Sequence, residues 1–271
     1  MCELNILVTV DSNYIKPLKV MLYSLFSTNN QHRFHIYLIY SKIKPEEIGD
    51  IDEFITKRGH RFSPIAIQGH EFHDAPVVRH YSDAMYYRLL AFQYLPETMD
   101  RVLYLDPDIL VINDIEPLYN LDLSQWLFAA APHNRLLSKE FNQVRLMEYE
   151  LEEYYNSGVL LMNLPLQRKE INEDDIFDFV EKYRNRLILP DQDVLNYLYS
   201  KNIKKLNEVK YNYDARSYRY YRLISNGKVD MDYVMRNTVI LHFCGKKKPW
   251  QANYSGEFHS LYKHYEKLAL G

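Results

Sequence analysis

The sequence is poor in cysteine and has no long apolar run. Its 271 residues include only two cysteines, Cys2 and Cys244. So few cysteines argue against a disulfide framework and favour a reducing compartment. No basic region precedes the short apolar run at the N-terminus, and no stretch approaches the roughly 20 apolar residues that span a bilayer. We therefore expect a cytoplasmic protein without a signal peptide or a transmembrane segment.

An excess of basic charge is also absent. The 33 Lys and Arg residues stand against 36 Asp and Glu residues, which gives a net charge of −3 and predicts no nucleic-acid partner. An apolar fraction of 47% is typical of a globular protein, and this length can bury a sizeable core.

Tyrosine is abundant, with 25 copies. Its ring and hydroxyl suit sugar or base binding, although a tyrosine-rich composition explains the count equally well.

Apolar segments that read as strands alternate with amphipathic segments that read as helices. The pattern predicts strands at residues 6–10, 34–40, 61–67, 102–105, 126–131, 159–163 and 239–243. It predicts helices at residues 18–26, from Pro45, from Ser82 or Asp83 to Tyr94, at 174–186, and from Asp191 to Tyr199, with a loop at 69–81 and a helical excursion at 136–152. This alternation predicts an α/β fold with a mostly parallel sheet flanked by helices. No linker or repeat interrupts the chain, so one domain is the simplest organisation.

Two aspartates interrupt an apolar run near the middle of the chain. Asp106-Pro107-Asp108 separates residues 102–105 from the equally apolar residues 109–112. Carboxylate oxygens are hard ligands that suit Mg²⁺ or Mn²⁺, and the apolar flanks would hold the pair rigidly. Asp-Pro-Asp is also common in solvated turns, and that alternative stays open at this point.

Polar residues fall at two further predicted strand ends, where ligands of open α/β sheets bind. Asp11 and Asn13 follow the first strand and could hold a uracil edge and a ribose, although Asp11 could instead cap the first helix. His242 lies in the last strand, where a lone histidine is usually part of the core. Gly245 and three lysines at 246–248 follow it. An imidazole, a glycine turn and lysines suit a metal-bound diphosphate, whereas the lysines alone would read as a solvated loop.

Six stretches carry a resemblance to glycosyltransferase family 8, whose members include bacterial lipopolysaccharide galactosyltransferases and glucosyltransferases, and glycogenin. They are residues 8–14, 87–89, 103–110, 155–163, 191–196 and 242–250. They occur in the order of the family and span nearly the whole chain. The resemblance implies a GT-A fold over residues 1–271, with a nucleotide-binding half at about 1–115 and an acceptor half at about 116–271.

The resemblance also implies a retaining transferase that uses Mn²⁺ or Mg²⁺ and a UDP-sugar, either UDP-galactose or UDP-glucose. By position, the metal ligands would be Asp106, Asp108 and His242. The UDP-binding residues would be Thr9, Asp11, Asn13, Tyr14, Pro107, Gly245 and Lys248. The catalytic and sugar-binding residues would be Arg88, Asn156, Ser157, Asp191 and Gln192. The acceptor would be a glycan, a glycolipid or a glycoprotein.

The chain departs from the family pattern in two places. Many relatives place an aspartate that helps to bind the sugar where this chain has Pro132-His133-Asn134. A histidine cannot accept two sugar hydroxyls as a carboxylate does, so the donor sugar is not fixed by the pattern. The chain also stops at Gly271 without the long basic and aromatic tail that attaches some relatives to membranes. We expect peripheral membrane contact at most.

The residues leave the acceptor region and the route to retention open. Candidate acceptor regions are residues 136–153 with Tyr154, and the tyrosines and arginines around Ser217 at 211–222, which could equally form a structural loop. Gln192 is a poor nucleophile. Asp191 is a candidate nucleophile, a helix cap or an acceptor of sugar hydroxyls. We favour same-face attack by the acceptor, with Gln192 orienting the donor.

Two other functions fit parts of the pattern. One is a nucleotidyltransferase that makes sugar nucleotides, although the first strand ends in Asp-Ser-Asn rather than a glycine-rich phosphate loop. The other is a non-catalytic protein that binds UDP-sugar or glycan, which the departure at His133 would allow.

Overall fold

The computed structural model describes residues 3–67, 87–132, 153–183, 186–187 and 189–271. The strands in these ranges are β1 Glu3–Thr9, β2 Arg33–Tyr40, β3 Arg61–Ala66, β4 Arg101–Leu105, β5 Ile109–Val111, β6 Phe128–Ala130, β7 Val159–Asn163, β8 Ile203–Lys205, β9 Tyr213–Asp214 and β10 Ile240–His242. The helices are α1 Ile15–Thr28, α2 Pro45–Thr56, α3 Ala91–Tyr94, α4 Glu116–Tyr119, α5 Leu164–Glu170, α6 Glu173–Tyr183, α7 Pro190–Tyr199, α8 Glu208–Tyr211, α9 Tyr218–Ile224, α10 Met231–Asn237 and α11 His259–Leu270. Short 3₁₀ turns cover Ser12–Tyr14, Ser200–Asn202 and Ala215–Ser217.

A seven-stranded sheet forms the centre of the fold. Its strands lie in the order β3-β2-β1-β4-β7-β6-β8. The pairs β1–β2, β1–β4, β2–β3 and β6–β8 are parallel, whereas β7 runs antiparallel to both β4 and β6. The α/β architecture with a mostly parallel sheet is therefore confirmed.

A second sheet of three short strands has the order β5-β10-β9. In it β10 runs antiparallel to β5 and parallel to β9. The sequence indicated β5 and β10 as apolar runs but not that they leave the central sheet. Since β4 ends at Leu105 and β5 begins at Ile109, residues 106–108 are the link between the two sheets.

Apolar side chains bury both faces of the central sheet. Along β4, Leu103 and Leu105 join one apolar cluster, whereas Val102 and Tyr104 join the other. Strands β1 and β7 divide their side chains in the same way. Burial on both faces explains why these strands read as continuous apolar runs rather than alternating ones. It also holds the strand ends rigidly, where the polar residues lie.

Most predicted elements agree with the structure within a few residues, but two predictions are wrong. The helix predicted to continue to Tyr94 is interrupted by a turn at residues 88–90, so that only the short α3 precedes Leu95. The capping prediction for α7 is the second. Leu189, not Asp191, is the N-cap of α7, and Asp191 lies inside its first turn. The loop at 69–81, the start of the helix at Ser82 or Asp83 and the excursion at 136–152 lie outside the described residues. No helix among the described residues is long and apolar enough to cross a membrane.

Arg168 on α5 binds the segment that connects Arg88 to β4. Its guanidinium group donates hydrogen bonds of 2.9–3.4 Å to the carbonyl oxygens of Phe92, Leu95, Pro96, Glu97 and Met99. Replacing Arg168 by alanine leaves these acceptors without their donor. We expect the free energy of unfolding in urea to fall by about 2–3 kcal/mol. The neighbouring exposed Lys169 is the control, because Lys169→Ala should change it by less than about 0.5 kcal/mol. Equal losses for both variants would contradict this role.

Candidate active site

Two backbone hydrogen bonds fix the link between the sheets. The amide of Asp106 donates to the carbonyl oxygen of Gly158 at the start of β7, over 2.9 Å. The carbonyl oxygen of Asp108 accepts from the amide of Phe243 at the end of β10, also over 2.9 Å. One aspartate is thus anchored to the central sheet and the other to the small sheet. Their carboxylates therefore occupy the junction between the sheets.

His242 meets both carboxylates at this junction. Its Nε2 atom lies 3.2 Å from Asp108 Oδ1 and 3.8 Å from Asp106 Oδ2. One ligand atom from each of these residues lies within 4.8 Å of the others. His242 and Asp108 are buried, and Asp106 is partly exposed. Two carboxylates and an imidazole are a donor set that suits a divalent cation such as Mn²⁺.

Lys248 reaches into the same group and forms an ion pair with Asp108. Its ammonium also donates to the carbonyl oxygen of Phe243 over 3.1 Å. Burial alone would raise the pKa of Asp108, but His242 and Lys248 outweigh it and hold that pKa well below its ordinary value. For Lys248, burial lowers the pKa, but the charge of Asp108 outweighs burial and raises that pKa above its ordinary value. Both side chains are therefore charged at neutral pH.

Asp106 is oriented from the opposite side. The hydroxyl of Tyr104 donates to Asp106 Oδ1 over 2.6 Å and lies 3.1 Å from the hydroxyl of Thr9. Arg88 Nη1 lies 3.2 Å from Asp106 Oδ1, and its guanidinium carbon lies 4.5 Å from the centre of the Tyr104 ring. The same nitrogen lies 3.2 Å from Asp191 Oδ2, so one arginine bridges two carboxylates.

Hydrogen bonds join two side chains from the segment before β7, Asn156 and Ser157, to two from the first turn of α7, Asp191 and Gln192. The hydroxyl of Ser157 donates to Asp191 Oδ2 over 2.8 Å. Gln192 Oε1 accepts from Asn156 Nδ2 over 3.1 Å and from the Ser157 amide over 3.4 Å. These bonds use the amide oxygen of Gln192, and no residue in the described part of the chain accepts a hydrogen bond from its Nε2 group.

Asn212 connects this network to His242. The Gly158 amide can only donate, so the oxygen of Asn156 faces it, over 3.0 Å. That oxygen also accepts from Asn212 Nδ2 over 2.8 Å. The oxygen of Asn212 therefore faces His242 Nδ1, over 2.8 Å, and accepts its proton. With Nδ1–H donated to Asn212, deprotonation of the other ring nitrogen would leave the Nε2 lone pair for a cation held between the imidazole and the carboxylates, as a metal-ligating histidine requires.

The absent side chain of Gly158 keeps the junction open. A Cβ atom there would lie 2.5 Å from Asp106 Oδ2 and would overlap the His242 ring. The space between the two ligand residues thus exists only because this position is glycine. Together with the donor set and the Asn212 orientation, this space shows that the residues fit a divalent cation.

His32, Asp114 and Glu116 form a second group with one ligand atom each within 4.8 Å. His32 precedes β2, whereas Asp106 follows β4, and both strands are parallel to β1. This second group therefore lies near the opposite edge of the sheet, and the described residues give it no lysine or arginine comparable to Lys248 or Arg88. It does not compete as the active site.

The chain matches the family model described as "Glycosyl transferase family 8" over residues 5–254. This chain belongs to glycosyltransferase family 8. Membership of this family explains why the six sequence stretches occur in the family's order, and it identifies the chain as a glycosyltransferase.

Relatives and solved structures agree with this family. General stress protein A of Bacillus subtilis (strain 168) is 28% identical, over 97% of this chain and 92% of that protein. A lipopolysaccharide 1,2-glucosyltransferase of Escherichia coli (strain K12) is also 28% identical, over 91% of this chain and 72% of that enzyme. The crystal structure of galactosyltransferase LgtC, solved in complex with donor and acceptor sugar analogues, superposes with a TM-score of 0.83 at 22% identity and covers 99% of this chain and 97% of its own. The family 8 chain therefore has the GT-A fold.

The structure also locates the residues expected to bind uridine. Asp11 accepts from the amide of Asn13 over 2.8 Å, so it caps the 3₁₀ turn before α1, as its alternative interpretation predicted. Thr9 is buried against Tyr104. The rings of Tyr14 and Trp250 pack nearly perpendicular to each other, with ring centres 5.8 Å apart, which joins the first turn to the segment that carries Lys248. Thr9, Asp11, Asn13 and Tyr14 all lie at or just beyond the end of β1, beside the junction of Asp106, Asp108 and His242.

Part of the predicted acceptor region is wrong. Tyr211, Tyr213 and Tyr221 are buried in the core and cannot present a face to a sugar. Tyr154 is also buried, and its hydroxyl donates to Asp193 over 2.6 Å. The departure at His133 and residues 136–152 lie outside the described residues.

Reasoning from the sequence missed Asn212, Tyr104 and Gly158. Tyr104 lies in a buried strand, and its apolar context conceals the hydroxyl that binds Asp106. Asn212 stands among tyrosines and gives no local pattern. Gly158 lies in the stretch 155–163 that carries the family resemblance, but its role depends on a close approach to Asp106 and His242 that only the folded chain reveals.

Proposed function

We propose that this family 8 chain is a metal-dependent, retaining hexosyltransferase that moves galactose or glucose from a UDP-sugar to a glycan, glycolipid or glycoprotein. The observation that carries the proposal is the junction of Asp106, Asp108 and His242. These three residues would hold Mn²⁺ or Mg²⁺. The activities for which the glucosyltransferase relatives and the galactosyltransferase LgtC are named support hexose transfer.

Charge balance at the junction supports a diphosphate leaving group. The carboxylates of Asp106, Asp108 and Asp191 outnumber the cations of Arg88 and Lys248 by one when His242 is neutral. A bound divalent cation would supply positive charge to the departing UDP, an effect worth several kcal/mol. Lys248 and the backbone near Gly245 would add fixed electrostatic stabilisation. We infer that stabilising the leaving group is the main catalytic contribution.

The contacts around Asp191 support retention by same-face attack of the acceptor rather than through a covalent intermediate on Asp191. Arg88 and Ser157 both occupy Asp191 Oδ2. A carboxylate oxygen bound in this way is a weaker nucleophile for a covalent intermediate. Gln192, with its Nε2 group available, would orient the donor while the acceptor attacks from the same face. A glycosyl adduct on Asp191, detected by mass spectrometry, would contradict this route.

Incubation with UDP-glucose or UDP-galactose tests the proposed reaction. With Mn²⁺ present we expect release of UDP, by transfer or by slow hydrolysis, and EDTA should abolish it. Release of UTP only when pyrophosphate is added would indicate a nucleotidyltransferase instead. Binding of the UDP-sugar without turnover would indicate a non-catalytic binding protein.

Asn212 should act through His242. Asn212→Ala removes the acceptor for Nδ1–H, so the imidazole loses its orientation. We expect the affinity for Mn²⁺ to fall by about 10–100-fold, measured by isothermal titration calorimetry. Asn212→Asp keeps an acceptor oxygen for His242 and should retain most of the affinity. Wild-type Mn²⁺ affinity in Asn212→Ala would show that the relay does not position His242.

A further inference from the structure

A basic pocket lies beside Gly245, outside the residues assigned to the metal and the donor. Its volume is about 360 Å³, and its lining residues are Arg216, Lys246, Lys247, Tyr254, Ser255 and Gly256. Pockets of this size accommodate small-molecule ligands. Lys246 and Lys247, which line the pocket, directly precede Lys248, so the pocket borders the proposed active site.

Arg216 is held with one edge of its guanidinium group available. Its Nε atom donates to Asp214 Oδ1 over 2.9 Å and its Nη2 atom donates to Asp214 Oδ2 over 2.8 Å. This bidentate pair fixes the plane of the group. The remaining nitrogen, Nη1, faces Gly245, where an added Cβ atom would overlap it and lie 3.2 Å from the guanidinium carbon. Gly245, at φ +87°, lets the arginine approach the backbone.

The hydroxyl of Tyr254 is the second unusual group in the pocket. Tyr254 is only 8% exposed, and its hydroxyl has no hydrogen-bond partner among the described residues. A buried hydroxyl without a partner carries a desolvation cost that a ligand atom would relieve. Gly256 lies directly against this hydroxyl, and a side chain there would overlap it.

The charge of the pocket selects an anion. Lys246 and Lys247 are exposed and form no salt bridge with any described residue, whereas the charge of Arg216 is paired with Asp214. The chain as a whole carries a net charge of −3, so this excess of positive charge is local. Arginine and lysine donors beside a phenol hydroxyl match the several acceptor oxygens of a phosphate group.

We propose that this pocket is a phosphate-binding subsite, separate from the site of the donor diphosphate. Resting on the proposed function, its natural occupant would be a phosphate group carried by the acceptor. The donor diphosphate would already be held by Lys248 and by the junction of Asp106, Asp108 and His242, none of which lines the pocket. An acceptor phosphate held at the pocket would bring the acceptor next to the proposed reaction centre.

Inorganic phosphate, titrated calorimetrically into the protein with saturating UDP and Mg²⁺ at fixed ionic strength, tests the proposal. We expect phosphate to bind, and Lys247→Gln and Tyr254→Phe each to weaken binding about 3–10-fold. Tyr254→Phe should leave the melting temperature unchanged or raised, because the hydroxyl it removes has no hydrogen-bond partner among the described residues. Lys201→Gln, at an exposed lysine elsewhere, is the control and should bind as the wild type.

Three results would overturn the proposal. Phosphate could fail to bind, could be displaced by UDP, or could bind equally well to both pocket variants. Displacement would assign the pocket to the donor, and equal binding would indicate an adventitious ion only. UDP affinity is measured in the same samples. If the wild-type protein binds phosphate but does not bind UDP, the proposed function is contradicted, whereas the phosphate-binding subsite is not.

Discussion

Asp108→Asn is expected to abolish sugar transfer while the protein stays folded. The substitution removes the charge that His242 and Lys248 both face, and it weakens one of three proposed metal ligands. Loss of several kcal/mol of leaving-group stabilisation corresponds to a fall in kcat of at least about 100–1,000-fold. UDP release from UDP-galactose and UDP-glucose with Mn²⁺ measures the effect, and the melting temperature reports folding.

Asp52→Asn is the matched control for this substitution. Asp52 is exposed on α2, far in sequence from the junction, and the same change of charge there should leave turnover intact. Near-normal transfer by Asp108→Asn, with or without added Mn²⁺, would contradict the role assigned to the aspartate pair. Unfolding of Asp108→Asn would shift the test to Asp106→Asn, for which we expect the same loss of turnover.

Gly158→Ala should produce a comparable loss through a single added methyl group. The new Cβ atom would lie 2.5 Å from Asp106 Oδ2 and would overlap the His242 ring, so both ligand residues would have to move. A displacement of this size costs about 100-fold in a reaction that depends on positioning. We expect the affinity for Mn²⁺ and the rate of UDP release to fall together.

A glycine-to-alanine substitution at another position distinguishes steric overlap in the site from the effect of alanine on backbone conformational entropy. Gly49 lies inside α2, and a Cβ atom there meets nothing within 4 Å. Gly49→Ala should therefore raise the free energy of unfolding by about 0.5–1 kcal/mol and leave activity unchanged. Wild-type Mn²⁺ binding in Gly158→Ala would show that the junction tolerates a side chain and that the metal ligands lie elsewhere.

The central strands were predictable because they are buried on both faces. Strands β1, β4 and β7 each contain three or four consecutive apolar residues, which local patterns detect directly. The helices α1 and α2 likewise carried a periodic apolar face, and Pro45 marked the start of α2. These elements brought Asp11 and Asp106 to adjacent strand ends.

The small sheet was not predictable from local patterns. Its strands β5, β9 and β10 have two or three residues each, too few for a period, and they pair across long stretches of chain. Without that sheet, nothing local in the sequence brings His242 to Asp108; only the family resemblance suggested it. Asn212 depends on the same sheet, because it immediately precedes β9.

Binding of Mn²⁺ followed by electron paramagnetic resonance, with and without UDP, tests the central claim most directly. The account predicts that the wild-type chain binds Mn²⁺ and that UDP tightens binding at least about tenfold, because the diphosphate would share the cation. Asp108→Asn and His242→Ala should each remove this UDP-dependent binding. If UDP does not change the affinity for Mn²⁺, and both variants bind Mn²⁺ as the wild type does, the claim that Asp106, Asp108 and His242 hold the metal for the departing UDP is contradicted.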